Sequence, residues 1–239
     1  KGHSHQPFFR TELQQPILLA VSIACFNQLS GINAILYFAP RIFEWADLAH
    51  NAALLSSVGI GVANLVATLL GLRLIDTLGR RTLLQMGGAG YIMSLGGCAV
   101  AFATNQLPLV PWLVFAFVAS HAMGQGAVIW VFISEIFPAR ERSAGQTLGS
   151  ATHWSCAALL TLVFPKVVEI FRPAQIFSFF CGMMCLHMTW VLRLMPETRG
   201  ISLESMQAHL APAAAQARVR HRGDELEELV GGSGSESEP

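Results

Sequence analysis

The stretch QQPILLAVSIACFNQLSGINAILYFAP, residues 14–40, decides how the rest of the chain is read. It holds no Asp, Glu, Lys or Arg, and it exceeds the roughly 20 apolar residues a helix needs to cross a bilayer. Midway along it sit three carboxamides, Asn27, Gln28 and Asn33, around the pair Ser30-Gly31. Five more apolar runs follow, at 51–75, 82–103, 110–137, 147–170 and 174–195. Each is long enough to cross a hydrocarbon core of about 30 Å as a helix. The expected fold class is therefore an all-α membrane protein. Residues 14–200 form its six-transmembrane-helix bundle, 1–13 a cytoplasmic segment, and 201–239 a cytoplasmic, largely disordered tail.

Composition agrees. Of 239 residues 53% are hydrophobic and 13% charged, about half the charge of a soluble domain, which is roughly 25%. Net charge is zero and the only lysines are Lys1 and Lys166. A nucleic-acid partner needs clustered cations to displace counterions, so none is expected. The five cysteines lie scattered in apolar runs without a CxxC pair. That argues against a disulfide framework and against a bound metal; no cofactor is expected. No span places a nucleophile beside a base at helical spacing, or two histidines as metal ligands, so the chain is not read as an enzyme. It begins at Lys1 with ten largely polar residues instead of a methionine and an apolar signal core. It is read as a fragment.

The connections set the orientation. Lys1, Arg10, Arg73, Arg80, Arg81, Arg140, Arg142, Arg193 and Arg199 fall on one side, and Arg41, Lys166 and Arg172 on the other. The positive-inside rule then places both termini in the cytoplasm. After Ile201 come an Ala-rich patch, a basic cluster (Arg218, Arg220, Arg222) and an acidic run (Asp224, Glu225, Glu227, Glu228). Such a segment cannot bury enough apolar surface to fold. Glycines recur within the spans, as in tightly packed membrane bundles.

Mid-membrane amides are costly unless they meet a cavity or a partner. Gln28 and Asn33 are five residues apart, about 140° around a regular helix. They converge on one ligand only if the helix is unwound at Ser30-Gly31, as in the broken helices of transporters. The other reading is that they bond helix to helix. Asn33 and Tyr37 share a face. Amides suit an uncharged polyol, since a carboxamide and a hydroxyl each donate and accept. Asn64 in the second span fits either reading. Trp130 and Trp154 can offer a ring face and an N–H to a sugar, whereas Trp45 and Trp112 lie near span ends as interface anchors. His121, His153 and His187 lie in spans with no carboxylate near them on the same span; packing or a ligand hydrogen bond is expected. On the arginine-rich side, acids recur beside arginines at Asp76–Arg81, at Glu135 with Arg140 and Arg142, and at Glu197–Arg199. Bidentate pairs there can hold the bundle ends together.

Four segments in order carry a resemblance: QLSGIN at Gln28–Asn33, DxxGRR at Asp76–Arg81, the G-x-G-x-x-x-W-x-x-x-x-E-x-F run at Gly124–Phe137 with Arg142 after it, and PETRG at Pro196–Gly200. Together they resemble the sugar porter family of the major facilitator superfamily, over about residues 10 to 205, and match its C-terminal six-span half. The resemblance implies a partner half of six further spans, a sugar held between the halves, and access that alternates by rocking. It implies that Gln28, Asn33, Asn64 and Trp130 contact a hexose or pentose, with Asn27 beside them, and that Trp154 lines the cavity. It further implies that Asp76, Arg80, Arg81, Glu135 and Arg142 form a cytoplasmic salt-bridge network steadying the outward-facing state. Asn27 stands where the family has a first Gln, and His153 where Asn or Gln is common. Gln125, Ala127 and Ile129 replace prolines of many animal members, a bacterial-like pattern. The expected function is monosaccharide transport across the cell membrane, as uniporter or proton symporter, in contact with the lipid bilayer. The alternative is a non-transporting sugar sensor or regulatory fragment, suggested by the tail. An exporter of apolar drugs is disfavoured by the amides.

Overall fold

A computed structural model describes residues 8–210. Six helical spans run Thr11–Tyr37, His50–Leu78, Arg80–Ala103, Leu107–Ile136, Arg142–Ile170 and Pro173–Leu194. They coincide with the six apolar runs to within a few residues. Each run becomes a helix because the bilayer offers its backbone no hydrogen bonds, so N–H and C=O groups must pair within the segment.

The first span is two helices, α1 (Gln14–Leu29) and α2 (Ile32–Tyr37), followed by the short α3 (Ala39–Trp45). The second and third are α4 (His50–Leu78) and α5 (Arg80–Ala103). The fourth is α6 (Val110–His121), a π-helical turn at Ala122–Gly126, and α7 (Ala127–Ile136). The fifth and sixth are α8 (Arg142–Ile170) and α9 (Pro173–Leu194). The third span packs most extensively on α9 and α6, and α1 on α8. Glycine permits one of the closest approaches: a methyl group on Gly87 would lie 3.0 Å from the Cα of Gly124 in the π-helical turn. Small residues at such crossings let dispersion contacts form where no water-driven force exists.

Two buried apolar clusters result. One joins Ile35, Phe43, Tyr91, Leu95, Phe117 and Phe177. The other joins Ile23, Leu84, Phe132, Phe137, Val191 and Met195. The buried polar residues Asn27, Gln28 and Gln125 fall between them in sequence. Leu55, Val62 and Leu65 on α4 and Leu159 and Leu162 on α8 are exposed, as expected of faces that water does not contact.

The segment read as a tail from 201 starts differently. Residues Leu203–Leu210 form a helix, α10. Met206 and Leu210, four apart on one face, are buried in the second apolar cluster, and α10 packs on α7. That amphipathic spacing corrects the expectation of disorder for these residues. Most of the segment, with its basic and acidic runs, lies outside the described residues.

Candidate functional site

The break in the first span builds the site. The first helix ends at Leu29, and Gly31 takes a left-handed backbone, φ 82°. A side chain there would be strained, and its Cβ would lie 2.7 Å from the Phe180 ring. Ser30 satisfies the backbone freed by the break: its hydroxyl donates to the Asn27 carbonyl at 2.6 Å and accepts from the Ile32 N–H at 3.3 Å. With the chain re-aimed, Asn33 Nδ2 donates to Gln28 Oε1 at 3.0 Å. Gln28 Nε2 in turn donates to Asn27 Oδ1 at 3.1 Å and lies 3.1 Å and 3.2 Å from the two ring nitrogens of His153 on α8.

These groups face a cavity of about 300 Å³ lined by Asn27, Gln28, Asn33, Asn64, His121, Trp130, His153 and Trp154, with Thr68 and the apolar Ile32, Leu36 and Ile129. The His153 ring sits edge-on to Trp130 and to Trp154, with centroids 5.2 Å away in each case. Asn64, Trp130 and Trp154 make no side-chain hydrogen bond with a described residue, which leaves a carboxamide and two indole N–H groups for a ligand. No Asp, Glu, Lys or Arg lines the cavity among the described residues. Behind it runs a buried chain of hydrogen bonds. His187 meets Gln125 Nε2 at 2.9 Å, Tyr91 donates to Gln125 Oε1 at 3.4 Å, and the same hydroxyl meets His121 Nδ1 at 2.7 Å. These partners tie α9, the π-helical turn, α5 and α6 together.

A charged cluster occupies the arginine-rich end. Arg80 binds Glu135 through two bonds, Nε to Oε2 at 3.1 Å and Nη2 to Oε1 at 2.7 Å. Its Nη1 donates to the Ile75 carbonyl and to Asp76 Oδ1. Thr198 donates to Glu135 Oε2 at 2.6 Å. Glu197 accepts the backbone N–H groups of Arg80 and Arg81, both at 3.0 Å, so a carboxylate caps the start of α5. Arg81 donates to the Leu192 carbonyl at 2.6 Å, and Arg199 to the Thr77 carbonyl. Arg142 is exposed and makes no ion pair with a described residue; it lines a cavity of about 280 Å³ with Arg80, Glu135 and Thr198. At the same end Arg10 pairs with Glu141 at 2.9 Å.

A neutral amide cavity at a helix break and an arginine–carboxylate lock at one end are what the sugar porter motifs imply. The family described as "Sugar (and other) transporter" matches residues 1–210. The chain belongs to the sugar porter family of the major facilitator superfamily.

Among its relatives, the facilitated glucose transporter member 8 of solute carrier family 2 from Mus musculus is 31% identical, over 87% of this chain and 50% of its own. The D-xylose transporter of Levilactobacillus brevis is 30% identical, over 84% and 45%. The proton:xylose symporter XylE, solved with 6-bromo-6-deoxy-D-glucose bound, superposes with TM-score 0.73 at 30% identity, over 81% of this chain and 42% of XylE. The chain thus spans about half the length of the sugar porters it matches.

The structure brings the expected Asn27, Gln28, Asn33, Asn64, Trp130 and Trp154 to one cavity. It joins Asp76, Arg80, Glu135 and Thr198 directly and leaves Arg81 one step away, on Glu197 and Leu192. Tyr37, the last residue of α2, is 59% exposed and does not join Asn33 at the cavity. Three contributors were not assigned from sequence. In the sequence His153 carries only the expectation of packing or a ligand hydrogen bond, and it stands where Asn or Gln is common. His121 adjoins the π-helical turn, a feature frequent at functional sites. Glu197 was visible as part of PETRG, but its capping role needs the fold.

Proposed function

We propose that this chain supplies the C-terminal half of a monosaccharide transporter that works by alternating access. The observation that carries the reading is the hydrogen-bonded pair Gln28–Asn33, drawn across the helix break into an uncharged cavity with Asn64 and Trp130. A hexose or pentose hydroxyl both donates and accepts, so it can exchange with each amide bond without leaving a buried group unpaired. The indoles offer apolar faces to the C–H side of the ring.

The cavity is one-sided. Trp154, at its edge, is 60% exposed, and α4 and α8, which flank it, are the least buried spans. This supports a second six-span half, the expected N-terminal one, closing the other wall. The Arg80–Glu135–Thr198–Glu197 cluster ties α4, α5, α7 and the segment after α9 at one end; holding that end shut favours an outward-facing state. The nine-to-three excess of positive residues supports placing this end, and both termini, in the cytoplasm, with the protein in the plasma membrane.

The test is sugar binding and uptake by the native protein in proteoliposomes, with D-glucose and D-xylose as probes. Gln28→Ala and Asn33→Ala are each expected to weaken binding about tenfold or more, from the loss of one or two hydrogen bonds. Both variants should retain helical content. Unchanged affinity in both removes this cavity as the sugar site.

A further inference from the structure

Both N–H groups of the Gln28 carboxamide are committed, and so is one acceptor position of its oxygen. Its oxygen accepts from Asn33, one N–H goes to Asn27, and its nitrogen also meets His153. Since Gln28 donates there, His153 must accept, and only a neutral imidazole has a lone pair to do so. An imidazolium carries N–H on both nitrogens and would set donor against donor. Turning the Gln28 amide alone does not repair this: it would set nitrogen against the Asn33 nitrogen and oxygen against the Asn27 oxygen. An imidazolium is accepted only if all three amides turn together, which exchanges donors for acceptors in the cluster a sugar would meet. The three amides hold the present arrangement only while His153 is neutral.

The surroundings offer an imidazolium no counter-charge. Around the cavity, His121 on α6 is the one other titratable side chain among the described residues, and it is bound to Tyr91. From α1, Cys25 faces Cys156 of α8 at 3.8 Å. On α9, His187 is held by Gln125; on α7, Glu135 is held by Arg80 at the charged end; on α2, Tyr37 is exposed. A protonated His153 would have to draw water into the space a sugar fills.

We propose that His153 is a positioning residue of the sugar site whose protonation and sugar binding exclude one another, so that affinity falls on the acid side and binding releases a proton. This rests on the transport reading above and adds its regulation. By linkage, the factor by which protonation weakens sugar binding equals the factor by which bound sugar weakens proton binding. The coupling has the opposite sign to proton–sugar symport, in which proton and sugar favour each other.

The test uses the native protein, D-glucose and D-xylose binding, and tryptophan fluorescence between about pH 8 and about pH 5, the range in which imidazole titrates. Trp130 and Trp154 lie against the His153 ring, so its protonation should quench emission in the absence of sugar. Affinity should fall about tenfold across that range, the worth of roughly one hydrogen bond. In His153→Gln and His153→Asn the quench should disappear, and the sugar affinity each variant has at pH 8 should no longer vary with pH; two variants guard against misfolding of either. Sugar binding with the same acid loss in both variants overturns the role of His153 and leaves the transport reading standing. A wild-type emission that does not titrate overturns it as well. A wild-type protein that binds neither sugar at pH 8 overturns the transport reading, and this inference with it.

Discussion

The mid-membrane amide cluster and the arginine-rich end are both polar devices joining distant parts of the chain, and they differ in one physical respect. The amide cluster is neutral: Asn27, Gln28, Asn33 and His153 satisfy one another with bonds of 3.0 to 3.2 Å. A neutral hydrogen bond has a small net worth because a hydroxyl can replace it. The arginine-rich end is ionic and bidentate, with Arg80 to Glu135 as close as 2.7 Å. Charged bonds are roughly twice as strong and are not readily replaced by an uncharged ligand. On the function proposed above, the amides are the site that exchanges partners and the charges are the lock that holds one state. Changes at the first should therefore alter affinity, and changes at the second the balance of conformations.

The largest expected effect is at the lock. Arg80→Ala removes both bonds to Glu135 and the link to the Ile75 carbonyl. The side chains of Arg80 and Glu135 are 11% and 28% accessible, so this is not a surface pair. Leaving one partner of a buried pair costs about 3 kcal/mol, and half that in favour of opening shifts a two-state population about tenfold. A cysteine introduced at Ser134, which lines the cavity beside Glu135, should then label faster from that side. Equal labelling would break the comparison, because the charged cluster would then be ordinary helix-end pairing.

A second effect, about 2 kcal/mol, is expected at Gly31. Alanine there must adopt a left-handed backbone, which costs about 1–2 kcal/mol, and must displace the Phe180 ring 2.7 Å from its Cβ. Gly31→Ala should lower thermal stability and sugar affinity together, whereas Gln28→Ala lowers affinity with little change in stability. A Gly31→Ala protein with normal affinity would show that the amides need no fixed break, and the neutral cluster would be less constrained than argued above.

The spans, the break and the charge clusters were legible because each is written locally. An uninterrupted apolar run dictates a helix, Ser30-Gly31 marks where one ends, and acids and arginines stand within a few residues of one another at span ends. What could not be read is what depends on distance. Gln28 and His153 are 125 residues apart, and Arg80 and Glu197 are 117 apart. Helical periodicity relates residues on one span and says nothing about which face meets which. The sequence therefore leaves His153 with packing or a ligand hydrogen bond expected and no partner named. Residues 203–210 were grouped with a polar tail because composition averages over a window. The spacing of Met206 and Leu210 acquires meaning only with α7 there to receive them.

The smallest effect sharpens the comparison within the lock itself. Among the described residues Glu197 forms no ion pair with a guanidinium; its carboxylate accepts backbone N–H groups at the start of α5 and those of Thr198 and Arg199 at 2.9 and 3.0 Å. Glu197→Gln keeps an acceptor and removes the charge that complements the helix N-terminus, a loss of about 0.3–1 kcal/mol. Stability should fall slightly, by about 1–4 °C in melting temperature for a chain of this size, and the Ser134→Cys labelling rate should rise only a few-fold. A change as large as that of Arg80→Ala would mean that the cap, and not the Arg80–Glu135 pair, holds this end closed. The lock would then be a helix terminus seated on a carboxylate, with its ion pair secondary.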